Sequence, residues 1–331
     1  MYFTANAGTG FHLWRQLADG GKPEQLTFGP SQELGVAVPP DGRSLYTVAG
    51  SGLDSVWIHD AKGDRQISGE GSATNPVLTA DGKKVYYAVT QHFGDRSAEL
   101  WVTDVQTGRS EPALPGVHIN SQNFLVTPDG KTVAYRGDRS NLWIAPLDRS
   151  SPPRNLAMRQ TNSVDVDNFG HLFYTVQEGA EYYLYRMNLD GSSQAKAFDV
   201  PLIGPNGAVS PDGKWFAHQS KEHILVVHPL GGGDQVAVCA RCTPSWAPDG
   251  ASLLLHFRAL MGEKDMTAII PLKGGHLPRF PPLGLRGVED AAKLPGAVVF
   301  PSVSQGSAAG SAYVYDRSTS QANLFRIALP N

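Results

Sequence analysis

Seven times along the chain a short apolar stretch runs into a glycine-centred turn and straight into another apolar stretch. The turns are VPPDGRSLYTV, LTADGKKVYYAV, VTPDGKTVAYRG, VDNFGHLFYTV, VSPDGKWFAHQ, WAPDGASLLLHF and KLPGAVVFPSV, centred on Gly42, Gly82, Gly130, Gly170, Gly213, Gly250 and Gly296. Successive glycines are 40, 48, 40, 43, 37 and 46 residues apart. A period near forty built from strands and turns is the signature of a β-propeller, with one four-stranded blade per repeat. The pattern constrains architecture and leaves function open, because propellers serve as enzymes, receptors and docking platforms alike.

The repeat runs from end to end of the 331 residues without a linker, so a single propeller domain over 1–331 is expected. The 36 glycines and 24 prolines suit a chain that turns every few residues, and the 41% hydrophobic content argues against disorder. Charge is nearly balanced, 28 basic residues against 31 acidic, with no basic run. A nucleic-acid partner is therefore not expected. No apolar run is long enough to span a membrane as a helix. MYFTANAGTG lacks a basic stretch leading into an apolar one, so it does not read as a signal peptide.

Residues 73–111 illustrate one blade. Asn75–Ala80 form a first strand and Asp81-Gly82 the turn. Val85–Val89 is a β-branched and aromatic second strand, Leu100–Asp104 a third, and a segment through Ala113-Leu114 a fourth. The third-strand element recurs eight times, from Leu13-Trp14 to Tyr313-Val314, against seven glycine turns. Residues 1–28 align with the second to fourth strands of a blade. The expectation is seven complete repeats and one partial one, an eight-bladed ring with seven blades as the alternative. Because an unpaired inner edge exposes backbone donors and acceptors, the chain is expected to be a fragment of a longer protein, or another strand completes its first blade. The recurring tryptophans are expected to pack between blades.

The Pro-Asp-Gly turn, a strand, and then a Leu-Trp-Val-x-Asp strand resemble the TolB-like class of WD-like propeller repeats over the whole chain. The turns at Asp41, Asp129, Asp212 and Asp249 match; Phe169-Gly170 departs from the pattern and Pro295-Gly296 barely fits it. Segments such as HLWRQ, SVWIHD and ELWVTDVQTGRSEPALPG are similar to C-terminal propellers of large bacterial proteins. There the propeller follows a eukaryotic-like Ser/Thr kinase domain and a membrane span, or a winged-helix DNA-binding domain. The resemblance implies a non-enzymatic interaction or sensor module of a larger bacterial signalling protein. It favours a periplasmic or extracytoplasmic location, with the cytoplasm as the alternative.

No motif for catalysis stands out. G-x-S-x-G, the kinase signatures, a P-loop and a Rossmann fingerprint are missing. The ten histidines fall in different blades without metal-ligand spacing, so no metal or cofactor is expected. The alternative function is a propeller enzyme, a lyase or hydrolase working from the central channel, or the propeller of a prolyl-oligopeptidase-like peptidase lacking its catalytic domain. Cys239 and Cys242 are the only cysteines; a local disulfide on a surface connection is the favoured reading, and an oxidising compartment would suit it.

Inner strands line a propeller's channel. Six residues before the Asp of each turn, or its equivalent, stand Gly35, Asn75, Asn123, Ser163, Asn206, Thr243 and Glu289. Three residues before it stand Val38, Leu78, Val126, Val166, Val209, Trp246 and Ala292. This predicts a polar ring above an apolar inter-blade layer. Asn75, Asn123, Ser163, Asn206, Thr243 and Glu289 are the candidate funnel rim for a protein, peptide or small-molecule ligand; the alternative is that their side chains only cap strand ends and hold water.

Overall fold

The computed structural model describes residues 1–6, 11–28, 32–69, 71–91, 97–121, 123–137, 141–156, 161–258, 264–302 and 306–329. Three strands open the chain as an antiparallel sheet: β1 (Tyr2–Asn6), β2 (Phe11–Arg15) and β3 (Glu24–Gln25). They are followed by β4 (Gln32–Ala37), the 17-residue β5 (Ser44–Asp60) and β6 (Gly63–Gln66).

The blades then follow in order. The first is β7 (Ser72–Leu78), β8 (Lys84–Thr90), β9 (Ser97–Asp104) and β10 (Ser110–Pro112), with β11 (His118–Asn120) also paired to β9. The second is β12 (Phe124–Val126), β13 (Thr132–Arg136), β14 (Leu142–Pro146) and β15 (Arg154–Asn155). The third is β16 (Thr161–Val166), β17 (His171–Glu178), β18 (Glu181–Asn188) and β19 (Ala195–Leu202). The fourth is β20 (Gly207–Val209), β21 (Trp215–Gln219), β22 (Ile224–Pro229) and β23 (Val236–Ala240). The fifth is β24 (Cys242–Trp246), β25 (Ser252–Phe257), β26 (Met266–Pro271) and, beyond the short helix α1 (Val288–Ala291), β27 (Val298–Pro301).

The sixth blade joins the two ends of the sequence. β28 (Ser307–Ala309) and β29 (Ala312–Ala328) supply its inner strands, and the second half of β5 with β6 supplies its outer ones. β29 pairs with β5 without a break from Tyr313↔His59 to Ala328↔Ser44. Beyond the blade this ribbon continues as a three-stranded sheet, with β4 on the far edge of β5.

The expectation of seven or eight blades is thereby corrected: among the described residues six sheets form the ring. Apolar cores join the first blade to the second through Tyr86, Ile119 and Tyr135, and the second to the third through Leu142 and Tyr174. Phe173 and Phe216 join the third to the fourth, and Leu225 and Leu255 the fourth to the fifth. Phe300 and Tyr315 join the fifth to the sixth, and Ile58 and Tyr87 return from the sixth to the first. Two of the expected repeats differ from the structure for a physical reason. The strands around Gly42 look like an inner hairpin, but β5 continues past it as the third strand of the closing blade. The Gly296 turn precedes a fourth strand, β27, whereas the inner hairpin of the last blade turns at Gly310. Trp57, Trp101 and Trp143 pack against inter-blade cores, while Trp14 lies in the first sheet.

The repeated turns share one local chemistry. In the first blade the Thr79 hydroxyl donates to Asp81 (2.7 Å) and accepts from the Lys84 amide, while Asp81 accepts from the Lys83 amide. Thr127 with Asp129, and Ser210 with Asp212, repeat this arrangement. Gly82, Gly130 and Gly213 occupy φ of 68°, 68° and 66°, where a Cβ is disfavoured. The third blade departs from the motif and the structure explains how. The Asp167 carboxylate accepts directly from the amides of Phe169 and His171, so the usual Asp position is free to carry an exposed Phe169.

Candidate functional site: the central cavity

The first strands of all six blades converge on one cavity of about 210 Å³. Its wall is built from Asn75, Pro76 and Val77 of β7, the β12 strand with Pro128, Val166, Val209 with Pro211, Ser245 and Trp246 with Pro248, and Gly306-Ser307. The prolines of three Pro-Asp-Gly turns thus face the axis: Pro has no amide to leave unpaired there, and its ring adds apolar surface. None of these lining residues carries an ionisable side chain. The Ser245 hydroxyl is withdrawn from solvent and finds no hydrogen-bond partner, which leaves one polar group for a visitor to satisfy.

Among the described residues, Asn75 alone of the expected polar ring lines this cavity, and its side-chain amide donates to the Ser121 carbonyl at 2.8 Å. Asn75 has φ 53°, at a bulge in β7, and its own amide reaches toward Asp316 at 3.5 Å. Asn123 is half-buried and its amide donates to the Asn120 side chain. Asn206 and Thr243 are exposed where β20 and β24 begin. Ser163 lies in β16, but its side chain is outside the described residues. Glu289 is corrected outright: it sits exposed on α1, away from any inner strand, because the seventh turn is not an inner hairpin. Val126, Val166, Val209 and Trp246 of the apolar layer do reach the cavity wall, and Leu78 is buried in the core between the sixth and first blades. Val38 is 43% exposed outside the ring, and Ala292 is exposed beside the helix.

Beside the cavity, Asp165 of β16 accepts a hydrogen bond from the Val209 amide of the next inner strand at 3.0 Å. The residue as a whole retains some exposure, but its carboxylate is packed between strands. Burial pushes its pKa from the ordinary 3.8 up to about 7, against that one stabilising bond.

Carboxylates and a histidine also gather where the sixth blade meets its neighbours. Asp316 is fully buried and accepts from the Ser302 hydroxyl at 3.3 Å. Asp54 is 7% exposed and accepts from the Ser72 hydroxyl at 3.2 Å; burial, and secondarily Asp316, raise its pKa, while the Ser318 and Ser72 hydroxyls oppose the rise. His256 contacts the Thr267 hydroxyl at 3.1 Å, and burial lowers its pKa despite the carboxylates of Asp265 and Asp316. These groups were not visible as a set in the sequence, because β5 and β29 bring them together from opposite ends of the chain. They are sealed from solvent and so poorly placed to meet a substrate.

Cys239 and Cys242 are joined by a disulfide between the end of β23 and the start of β24. The surface position expected for them is corrected: they are 0% and 3% exposed, within the core between the fourth and fifth blades.

No family model and no curated protein matches the sequence. Solved structures do match. A protein described as a TolB of Agrobacterium tumefaciens aligns with a TM-score of 0.58 at 12% identity, covering 81% of this chain and 99% of that one. The fold is that of a TolB-like β-propeller. TolB of Acinetobacter baumannii aligns with a TM-score of 0.51 at 14% identity, over 82% of this chain and 76% of that one. An oligogalacturonate lyase in complex with manganese gives 0.48 at 13% identity, over 83% and 86%. No helix among the described residues is long and apolar enough to cross a membrane.

Proposed function

We propose that this TolB-like propeller is a non-enzymatic binding module that receives a partner in its central cavity, as the interaction or sensing part of a larger bacterial signalling protein. The supporting observation is the composition of the cavity wall. Pro, Val, Leu, Phe and Trp side chains from several blades converge there, with the single unpartnered Ser245 hydroxyl. Such a wall suits an uncharged, apolar chain end that makes one hydrogen bond, held by contacts with several blades at once. The wall itself carries no titratable side chain, and the nearby Asp165 carboxylate is tied to the Val209 amide, which favours binding over the acid–base work of a lyase or hydrolase. The Cys239–Cys242 disulfide favours an oxidising, extracytoplasmic setting for the module.

A peptide-array screen of the purified chain, followed by binding measurements on Leu125→Glu and Ser245→Ala, tests the reading. Leu125 lines the cavity and is half-buried, so a carboxylate there should abolish binding of an apolar partner while the fold persists. Loss of the Ser245 hydroxyl should weaken binding about 3- to 10-fold, the worth of one hydrogen bond. A captured partner that binds Leu125→Glu unchanged would move the site to an outer blade surface.

A further inference from the structure

We propose that Asp54 and Asp316 form a binding site for a hard divalent cation, calcium in preference to magnesium, that fastens the closing blade to the first. Asp316 lies opposite Val56 in the ladder, and Asp54 lies opposite Ser318. The two aspartates are therefore diagonal neighbours on one face of the β5–β29 ribbon, within mutual reach. That face is turned toward β7: the Ser72 hydroxyl donates to Oδ2 of Asp54, and the Asn75 amide approaches Oδ2 of Asp316.

A separate observation makes this more than a pair of acids. Oδ1 of Asp54 is withdrawn from solvent without a hydrogen-bond partner, and among the described residues no cationic side chain forms an ion pair with Asp54. A buried carboxylate with an unmatched oxygen, facing a second buried carboxylate, is costly unless a proton or a cation joins it. The surrounding groups decide which cation. Ser72, Ser302 and Ser318 are hydroxyls, so the available donors are all oxygen. Oxygen donors without sulfur or a free imidazole select calcium or magnesium over zinc or copper. His256 does not complete a transition-metal set, since its Nδ1 meets Thr267 and its Nε2 faces Asp265 at 3.7 Å. The calcium preference rests on the irregular spacing of donors from three strands and a loop, which a flexible coordination sphere tolerates and an octahedral one does not.

The experiment uses the full chain, stripped with EDTA and dialysed. Thermal unfolding is followed with EDTA, 1 mM calcium chloride or 1 mM magnesium chloride, and terbium luminescence is titrated in parallel. Calcium should raise Tm by several degrees, and terbium should bind with one strong site that calcium displaces. Asp54→Asn should weaken terbium binding at least 10-fold and remove the calcium dependence of Tm. Ser72→Ala is the milder variant should Asp316→Asn fail to fold, and Asp190→Asn, on an exposed turn, should leave every reading unchanged. Equal Tm values in calcium and EDTA would overturn the proposal. So would an Asp54→Asn protein that is more stable than wild type in EDTA yet still calcium-shifted. Equal Tm values together with a stabilised Asp54→Asn protein would identify the pair as a proton-sharing dyad.

Discussion

The Arg317 guanidinium lies over the Trp57 ring, 4.1 Å from its centroid. One residue comes from β29 and the other from β5, so the stack ties together the two strands that close the ring. Trp57 also packs against the core between the fifth and sixth blades. Trp57→Ala should cost about 2–3 kcal/mol, less than a fully buried Trp because the side chain is half-exposed. Arg317→Ala should cost about 0.5–1 kcal/mol. Chemical denaturation of both variants checks the order; equal losses would mean that the aromatic contributes nothing beyond its cation.

Asn75 has a structural task that the cavity conceals. Its positive φ disfavours most side chains, and its amide bonds to Ser121. Asn75→Ala should lose both benefits, about 2 kcal/mol. Asn75→Gly should lose only the amide bond and recover part of the stability. If the two substitutions are equally destabilising, the backbone conformation is not the source of the effect.

Asp165 should make stability depend on pH. Its folded pKa is raised from 3.8 to about 7 by burial. The protonated form is favoured in the native state, so its contribution is full below about pH 4 and is lost as pH rises through about 7. Asp165→Asn can still accept from the Val209 amide and cannot ionise. The variant should match wild type near pH 4 and melt a few degrees higher at pH 8. Melting curves at the two pH values decide it; a gain confined to acid would reverse the assignment.

The disulfide spans a sequence separation of 3, so it closes a very short loop. Chain entropy assigns such a loop about 2 kcal/mol, small beside a long-range crosslink. The double variant Cys239→Ser, Cys242→Ser should therefore fold and unfold at modestly lower denaturant. Its bonded parent should resist mild reductant while native, since both sulfurs are buried. Thiol titration with and without denaturant tests that.

The blade hairpins were legible because Thr/Ser-Pro-Asp-Gly turns and β-branched strands are local signals. The ring size was not, because it depends on which partner β5 selects. Ser44–Gly50 alone is a plausible second strand after Gly42, and only β29 reveals that Asp54–Asp60 belongs to another blade. The same nonlocality hid Asp54 and Asp316. The funnel expectation met a different limit. A shared offset from the turn places a residue near the start of an inner strand without fixing where its side chain goes: Asn75 reaches the cavity wall from a bulge, Asn123 bonds to Asn120, and Asn206 and Thr243 are exposed where β20 and β24 begin.

The β5–β29 ribbon also sets a timetable. On the ribosome, β5 leaves the exit tunnel long before β29 is made, and until then its 17 residues have no partner along that edge. Five blades can stack as they emerge, but the circle stays open to the last. A nascent chain of this kind is exposed to trapping by any other strand with a free edge, and pairing β29 with β5 carries the entropic burden of closing the long loop between them.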